Sequence, residues 1–244
     1  MSSILDILSK KPFAVVGHRG AKGECAENTL PCLNYALKVG ADIVEVDVRE
    51  TKDGKLIVLH DETFERVAGV NLSPKGLTYE EIRERIRVFG EYSVPTLEEV
   101  LDLVKDRAGL FVEIKEPPTV EKVVRTLESF GLTDTVAVIS FYEEALKGVR
   151  ELNPNLVTGY IYVKPQDAII TAKRVGAKII LPRYPLATPK AVAFAHRLKL
   201  KVVPWVVNDD KTLERVLKAN PDGIATDYPS WLVKRREELL KEGL

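Results

Sequence analysis

His18-Arg19-Gly20 closes one apolar run, Glu45 and Asp47 stand two residues apart in the next, and His60-Asp61 follows soon after. Two imidazoles beside paired carboxylates are what metal-assisted cleavage of a phosphate ester needs: acids to hold a cation, imidazoles to take and give protons. Successive side chains of a strand point to opposite faces, so Glu45 and Asp47 share one face of Ile43-Val44-Glu45-Val46-Asp47-Val48. In a low-dielectric cleft each such anion costs roughly several kcal/mol unless a cation answers it. An ion pair with Arg19 or Lys115 is one answer, and the two acids taken alone read that way. Phe111-Val112-Glu113-Ile114-Lys115 adds a third carboxylate on a later strand. Three oxygen ligands from two strands suit a hard divalent ion, Mg²⁺, Ca²⁺ or Mn²⁺, rather than zinc, which prefers nitrogen and sulfur.

The elements that must position these groups recur along the chain. β-branched runs at 13–17, 42–48, 110–114, 136–140, 156–162, 178–181, 201–207 and 223–226 alternate with amphipathic stretches such as 29–39, 119–130, 143–152, 210–219 and 229–240. About eight strand and helix units in a chain of this length predict an α/β fold, a closed parallel (β/α)8 barrel. An open doubly wound sheet is the runner-up; against it, Gly17-His18-Arg19-Gly20 lacks the spacing of a nucleotide-binding glycine loop. In a barrel the active site lies at the carboxyl ends of the strands, where His18, Glu45, Asp47, Glu113 and Lys115 fall, with Ser140-Phe141, Trp205, Asn208 and Thr226-Asp227. The alternation breaks from Asp61 to Pro95, punctuated by Gly69, Asn71, Pro74, Gly76 and Pro95. The chain therefore reads as one domain, 1–244, with a small insertion after the second strand at about 61–95, facing the substrate.

At 244 residues the chain can bury a sizeable core. Lysine plus arginine equals aspartate plus glutamate at 36 each, so no net field draws it to nucleic acid or an anionic membrane. The expected partner is a small molecule, with the protein a monomer or homodimer. No run of 18 apolar residues occurs and the first eleven residues are too polar for a signal peptide, so the expectation is a cytoplasmic protein without stable membrane insertion. Cys25 and Cys32 have no zinc-like spacing to other ligands and read as free thiols. The sole methionine is the initiator and the sole glutamine is Gln166, a balance expected of proteins that work hot.

The ordered marks His18-Arg19-Gly20, Glu27-Asn28-Thr29, Glu45 with Asp47, His60-Asp61, Glu113-Ile114-Lys115, Trp205 with Asn208, and Thr226-Asp227 before Pro229 resemble the glycerophosphodiester phosphodiesterase family nearly end to end. Ala26 departs from the family's usual proline and removes no reacting group. The resemblance implies a TIM barrel and a divalent ion on the residues matching Glu45, Asp47 and Glu113. It further implies His18 and His60 as general acid and base, Arg19 and Lys115 on the phosphate, and hydrolysis to glycerol phosphate and an alcohol. It tips Trp205, otherwise as readily a core residue, toward a wall against the glycerol carbons, with Phe141 similar but weaker.

Plainer roles stand beside these. Asn208 and Asp227 suit helix capping. His196, with no acid nearby in sequence, reads as a surface or helix-packing residue. Two rivals to the main reading are a phospholipase D-like or C-like barrel acting on lysophospholipid and a barrel that binds phosphodiesters without turnover. The alternating charges of Arg83 to Arg87 and the small apolar patch of Val88-Phe89 argue against the first; the retention of all five metal and histidine positions argues against the second.

Overall fold

The computed structural model describes residues 2–243. Runs rich in valine and isoleucine form the strands, as branched side chains favour the pleated, packed surface: β1 (Ala14–Gly17), β2 (Ile43–Glu50), β3 (Leu56–Val58), β4 (Gly109–Ile114), β5 (Val136–Ser140), β6 (Val157–Tyr162), β7 (Ile179–Pro182), β8 (Lys201–Val202) and β9 (Gly223–Thr226). All but β3 pair in parallel, in the order β8-β7-β6-β5-β4-β2-β1-β9, while β3 adds antiparallel to β2. The ring closes between its ends, because Asp222 N donates to Val202 O (2.9 Å), Ala225 N to Pro204 O (3.0 Å) and Val207 N to Ala225 O (2.9 Å). This is the TIM barrel.

The helices are α1 (Ile4–Ile7), α2 (Leu30–Lys38), α3 (Glu65–Ala68), α4 (Tyr79–Arg85), α5 (Leu97–Val104), α6 (Val120–Ser129), α7 (Glu143–Leu152), α8 (Ala168–Arg174), α9 (Pro189–Arg197), α10 (Asp210–Leu217) and α11 (Pro229–Lys241). Among the described residues none is long and apolar enough to cross a membrane.

Period-two alternation divides each strand between two cores. Val44, Val46, Leu110, Val112, Val136 and Val138 face outward beneath the helices, while Ile43, Phe111, Ala137, Ile139, Ile161, Ile179 and Leu181 fill the interior. Ile4 and Leu8, in and just after α1, plug the amino end of the barrel. Their fit requires Gly109: a Cβ there would lie 2.7 Å from Ile4 Cδ1. Above this apolar floor the inward positions of β2 and β4 become Glu45, Asp47 and Glu113.

The 61–95 segment has its own small core. Ile57, Phe64, Val67, Leu77, Ile82, Ile86, Val88 and Val94 pack together, so α3 and α4 sit on β3 rather than on the barrel proper.

Cys25 and Cys32, read from sequence as free thiols, form a disulfide with Cα atoms 5.4 Å apart. The turn into α2 brings the two Cβ positions together, and separation in space decides pairing where the spacing pattern could not. The bridge staples the loop carrying Glu27 and Asn28 to the first turn of α2. Its short loop removes roughly 2 kcal/mol of unfolded-state freedom on the chain-entropy estimate. The Cys25→Ser, Cys32→Ser double variant is accordingly expected to melt about 4–8 °C lower, measured by scanning calorimetry against the oxidised parent.

Candidate active site

The site begins where β1 ends. Gly17 is required there because the chain folds back at once: a Cβ on Gly17 would stand 2.2 Å from Gly20 O. The turn holds Arg19 in the left-handed region at φ 50°, a conformation that non-glycine residues adopt at a cost and that clusters at functional loops. Its reward is local: Arg19 N donates to Glu45 Oε2 at 2.8 Å.

Glu45, Asp47 and Glu113 converge because β2 and β4 are neighbours and Asp47 is the direct register partner of Glu113. One carboxylate oxygen from each lies within 4.8 Å of the others, and all three residues are buried. Two cations answer them. Lys115 Nζ is 2.7 Å from Glu113 Oε1 and 3.5 Å from Asp47 Oδ1, and Arg19 Nε is 3.3 Å from Asp47 Oδ2. Three carboxyl groups face two cations, and Glu45 Oε1 and Asp47 Oδ1 are buried without a hydrogen-bond partner. Buried carboxyl oxygens left without a hydrogen bond in an all-oxygen donor set fit a hard divalent cation.

Burial, reinforced by the charges of Asp47 and Glu113, pushes the Glu45 carboxyl well above the usual range. Burial and then Asp47 push Glu113 up to about 7, against the pull of Lys115. Burial also opposes ionisation of Asp47, but Lys115, Arg19, His60 and a hydrogen bond from Asn28 outweigh it and hold Asp47 at about 2. One member of the cluster is thus firmly anionic while its neighbours resist ionising without a further cation.

Both histidines line one cavity with Glu45 and Glu113. His18 Nδ1 is 2.6 Å from Asp227 Oδ1, and His60 Nδ1 is 2.7 Å from Asp61 Oδ1. Burial would raise Asp227, but its hydrogen bond and charge contact with His18, and its bond from Asn208, keep it below the ordinary value. Burial of Asp61 is likewise outweighed by Arg66 and His60, which hold it at about 2. An ionised carboxylate only accepts, so Nδ1 carries the hydrogen in each ring and Nε2 is left for the cavity. The backbone of His60 is fixed as well: Arg49 Nη2 and Nε donate to His60 O at 2.8 and 3.0 Å.

Arg19, Lys115, Phe141 and Trp205 line the same cavity. Arg19 Nη1 is held by Glu27 at 2.8 Å, while Nη2 makes no hydrogen bond among the described residues. Trp205 Nε1 donates to Leu181 O at 2.8 Å, so the indole turns an apolar face to the cavity and meets Phe141 edge-on at 5.9 Å.

Three residues differ from their plainer sequence readings. Asn208 and Asp227 cap no helix: Asp209 caps α10, and Asn208 Nδ2 instead donates to Asp227 Oδ2 at 2.8 Å. The helix cap was the nearer alternative in sequence, whereas the partner of Asp227 lies 209 residues away. His196 does have an acid, Asp222, at 2.7 Å; it comes from the far side of β8, invisible to local reading, and His196 lies outside the cavity. Arg49 was missed although a signal existed, since it continues the inward Glu45 and Asp47 alternation. Arg66 had none.

An eight-stranded parallel barrel bearing a carboxylate cluster at the carboxyl ends of its strands places the chain among the TIM-barrel enzymes. The model of the Glycerophosphoryl diester phosphodiesterase family matches residues 18–230. A glycerophosphodiester phosphodiesterase of Caldanaerobacter subterraneus subsp. tengcongensis is 34% identical over 90% of this chain and 96% of its own length. One from Bacillus altitudinis is also 34% identical, over 92% and 98%. The crystal structure of a glycerophosphodiester phosphodiesterase from Agrobacterium tumefaciens, 27% identical, superimposes with a TM-score of 0.80 over 91% of this chain and 99% of that one. The chain belongs to the glycerophosphoryl diester phosphodiesterase family, and its activity is that of a phosphoric diester hydrolase.

Proposed function

We propose that the chain hydrolyses glycerophosphodiesters to glycerol phosphate and an alcohol by divalent-ion-dependent acid–base catalysis, with His60 as base and His18 as acid in the first step. The observation that carries this reading is the pairing of two imidazoles, each tied through Nδ1 to a carboxylate, at a cavity shared with an under-compensated carboxylate cluster. Glu45, Asp47 and Glu113 would hold the ion, which when bound neutralises phosphate charge and lowers the pKa of a hydroxyl.

The chain's own groups do the rest. Burial pushes His60 below its ordinary value, with Lys115 and Arg19 adding to that and Asp47 and Asp61 opposing it; near neutral pH it is an unprotonated acceptor, as a base must be. His18, held by Asp227, protonates the departing alkoxide. Arg19 and Lys115 grip the non-bridging oxygens, and Phe141 with Trp205 packs against the glycerol carbons. These assignments apply equally to attack by the glycerol 2-hydroxyl through a cyclic phosphate and to direct attack by water.

One test is the pH profile. With divalent ion kept saturating across the range, the acid limb of kcat/KM, set by protonation of His60, is expected below pH 6.5, the ordinary imidazole value, with activity lost as pH falls through it. A limb above that value would withdraw the assignment of His60 as base. Release of glycerol phosphate from glycerophosphocholine and glycerophosphoethanolamine, measured beside lysophosphatidylcholine, tests the substrate class; preferential turnover of the lysolipid would favour the phospholipase D-like rival.

A further inference from the structure

Arg66, on α3 of the inserted segment, is outside the cavity yet is linked through two carboxylates to two residues that line it. One edge of its guanidinium forks onto Asp61, with Nε to Oδ2 at 2.7 Å and Nη2 to Oδ1 at 3.3 Å. The other forks onto Glu27, with Nη1 to Oε1 at 2.5 Å and Nη2 to Oε2 at 3.0 Å. The Asp61 oxygen that takes Nη2 also takes His60 Nδ1, at 2.7 Å. The Glu27 oxygen that takes Nη2 also takes Arg19 Nη1, at 2.8 Å. A continuous chain therefore runs His60, Asp61, Arg66, Glu27, Arg19.

We propose that Arg66 is a positioning residue for the hydrolysis, setting the imidazole of His60 and the guanidinium of Arg19 relative to each other through two carboxylates. The proposal rests on the reading of His60 and Arg19 given above. Exposed ion pairs contribute little, and the Arg66 side chain is 45% exposed; but Glu27 is 4% exposed, so its carboxylate depends on its two guanidinium partners. Without Arg66, Glu27 keeps Arg19 alone, drawing Arg19 toward itself and away from the phosphate. Asp61 loses both bonds that fix its plane, and His60 Nδ1 loses a stationary acceptor. Only a guanidinium can make two bonds to each of two carboxylates and so fix both planes, as Arg66 does here, so lysine, a point charge, is not an equivalent replacement.

The experiment measures kcat and KM with glycerophosphocholine for R66A, R66K, H60A and the H60A/R66A double variant, each with its melting temperature. R66A is expected to lose roughly 10–100-fold in kcat, the usual penalty for removing an orienting partner, and to raise KM through Arg19. Guanidinium chloride at low concentration should restore part of kcat to R66A and none to H60A. H60A/R66A should have the kcat of H60A, because a residue acting through His60 has nothing left to position. H60A alone tests the acid–base reading and the comparison with R66A tests Arg66, so the two failures separate. Values of kcat and KM within about twofold of the parent in R66A, or a double variant whose kcat losses multiply, would overturn the proposal. If R66A does not fold, R66K decides on the same readouts, with a kcat loss and raised KM expected and parent-like values overturning it.

Discussion

Replacing His60 or His18 by alanine is expected to lower kcat for glycerophosphocholine by roughly 10²–10⁴-fold, the usual worth of one positioned proton transfer. Each histidine is held through Nδ1 by an acid, so truncation removes the transferring nitrogen and leaves that acid able to turn to solvent. Both rings are part-buried at the cavity, and neither belongs to an apolar core cluster; the melting temperature should move little. The two variants should differ with the leaving group. If His18 is the acid, an activated aryl leaving group, which needs no proton, should lose less with H18A than with H60A. Near-parental kcat in either variant would take that residue out of the mechanism.

Removal of divalent ions is the second large effect. Activity is expected to vanish in chelator and return on adding Mg²⁺, Mn²⁺ or Ca²⁺, and full activity in chelator would discard the metal reading. The cluster's own protonation gives a finer check. With Glu113 pushed up to about 7, an ion binding below that pH must displace a proton, so affinity should fall by about tenfold per pH unit per proton displaced. Stability follows the same linkage. A carboxyl raised above its unfolded value of 4.5 contributes stability that is present below 4.5 and lost as pH rises through about 7. The ion-free protein is therefore penalised most above pH 7, where a saturating ion should raise the melting temperature most; at a hundred times its dissociation constant it contributes about 2.7 kcal/mol. A gain in melting temperature independent of pH, measured by calorimetry with and without ion, would show that the ion does not bind at these carboxylates.

Much of the site was legible in the sequence because strand periodicity is a strict geometric rule. Two residues apart means one face, which groups Glu45 with Asp47 and puts Arg49 on that face as well. Alternating strands and helices gave the closed barrel, whose connectivity then fixed the end at which the site lies. Helix ends were also close to their read positions: α7 begins at Glu143 and ends at Leu152 as its pattern indicates.

Periodicity assigns a face and never a partner. That Asp47 stands opposite Glu113 depends on the register of two strands separated by the whole insertion. That Asp227 orients His18 depends on β9 returning to lie beside β1. The disulfide and the fork of Arg66 onto Glu27 depend on the path of a loop, where side-chain spacing carries no fixed period. Local chemistry and its strand face are written in residue order; which acid holds which base is settled only when the ring of strands closes, because hydrogen bonds and charges act through distance in space.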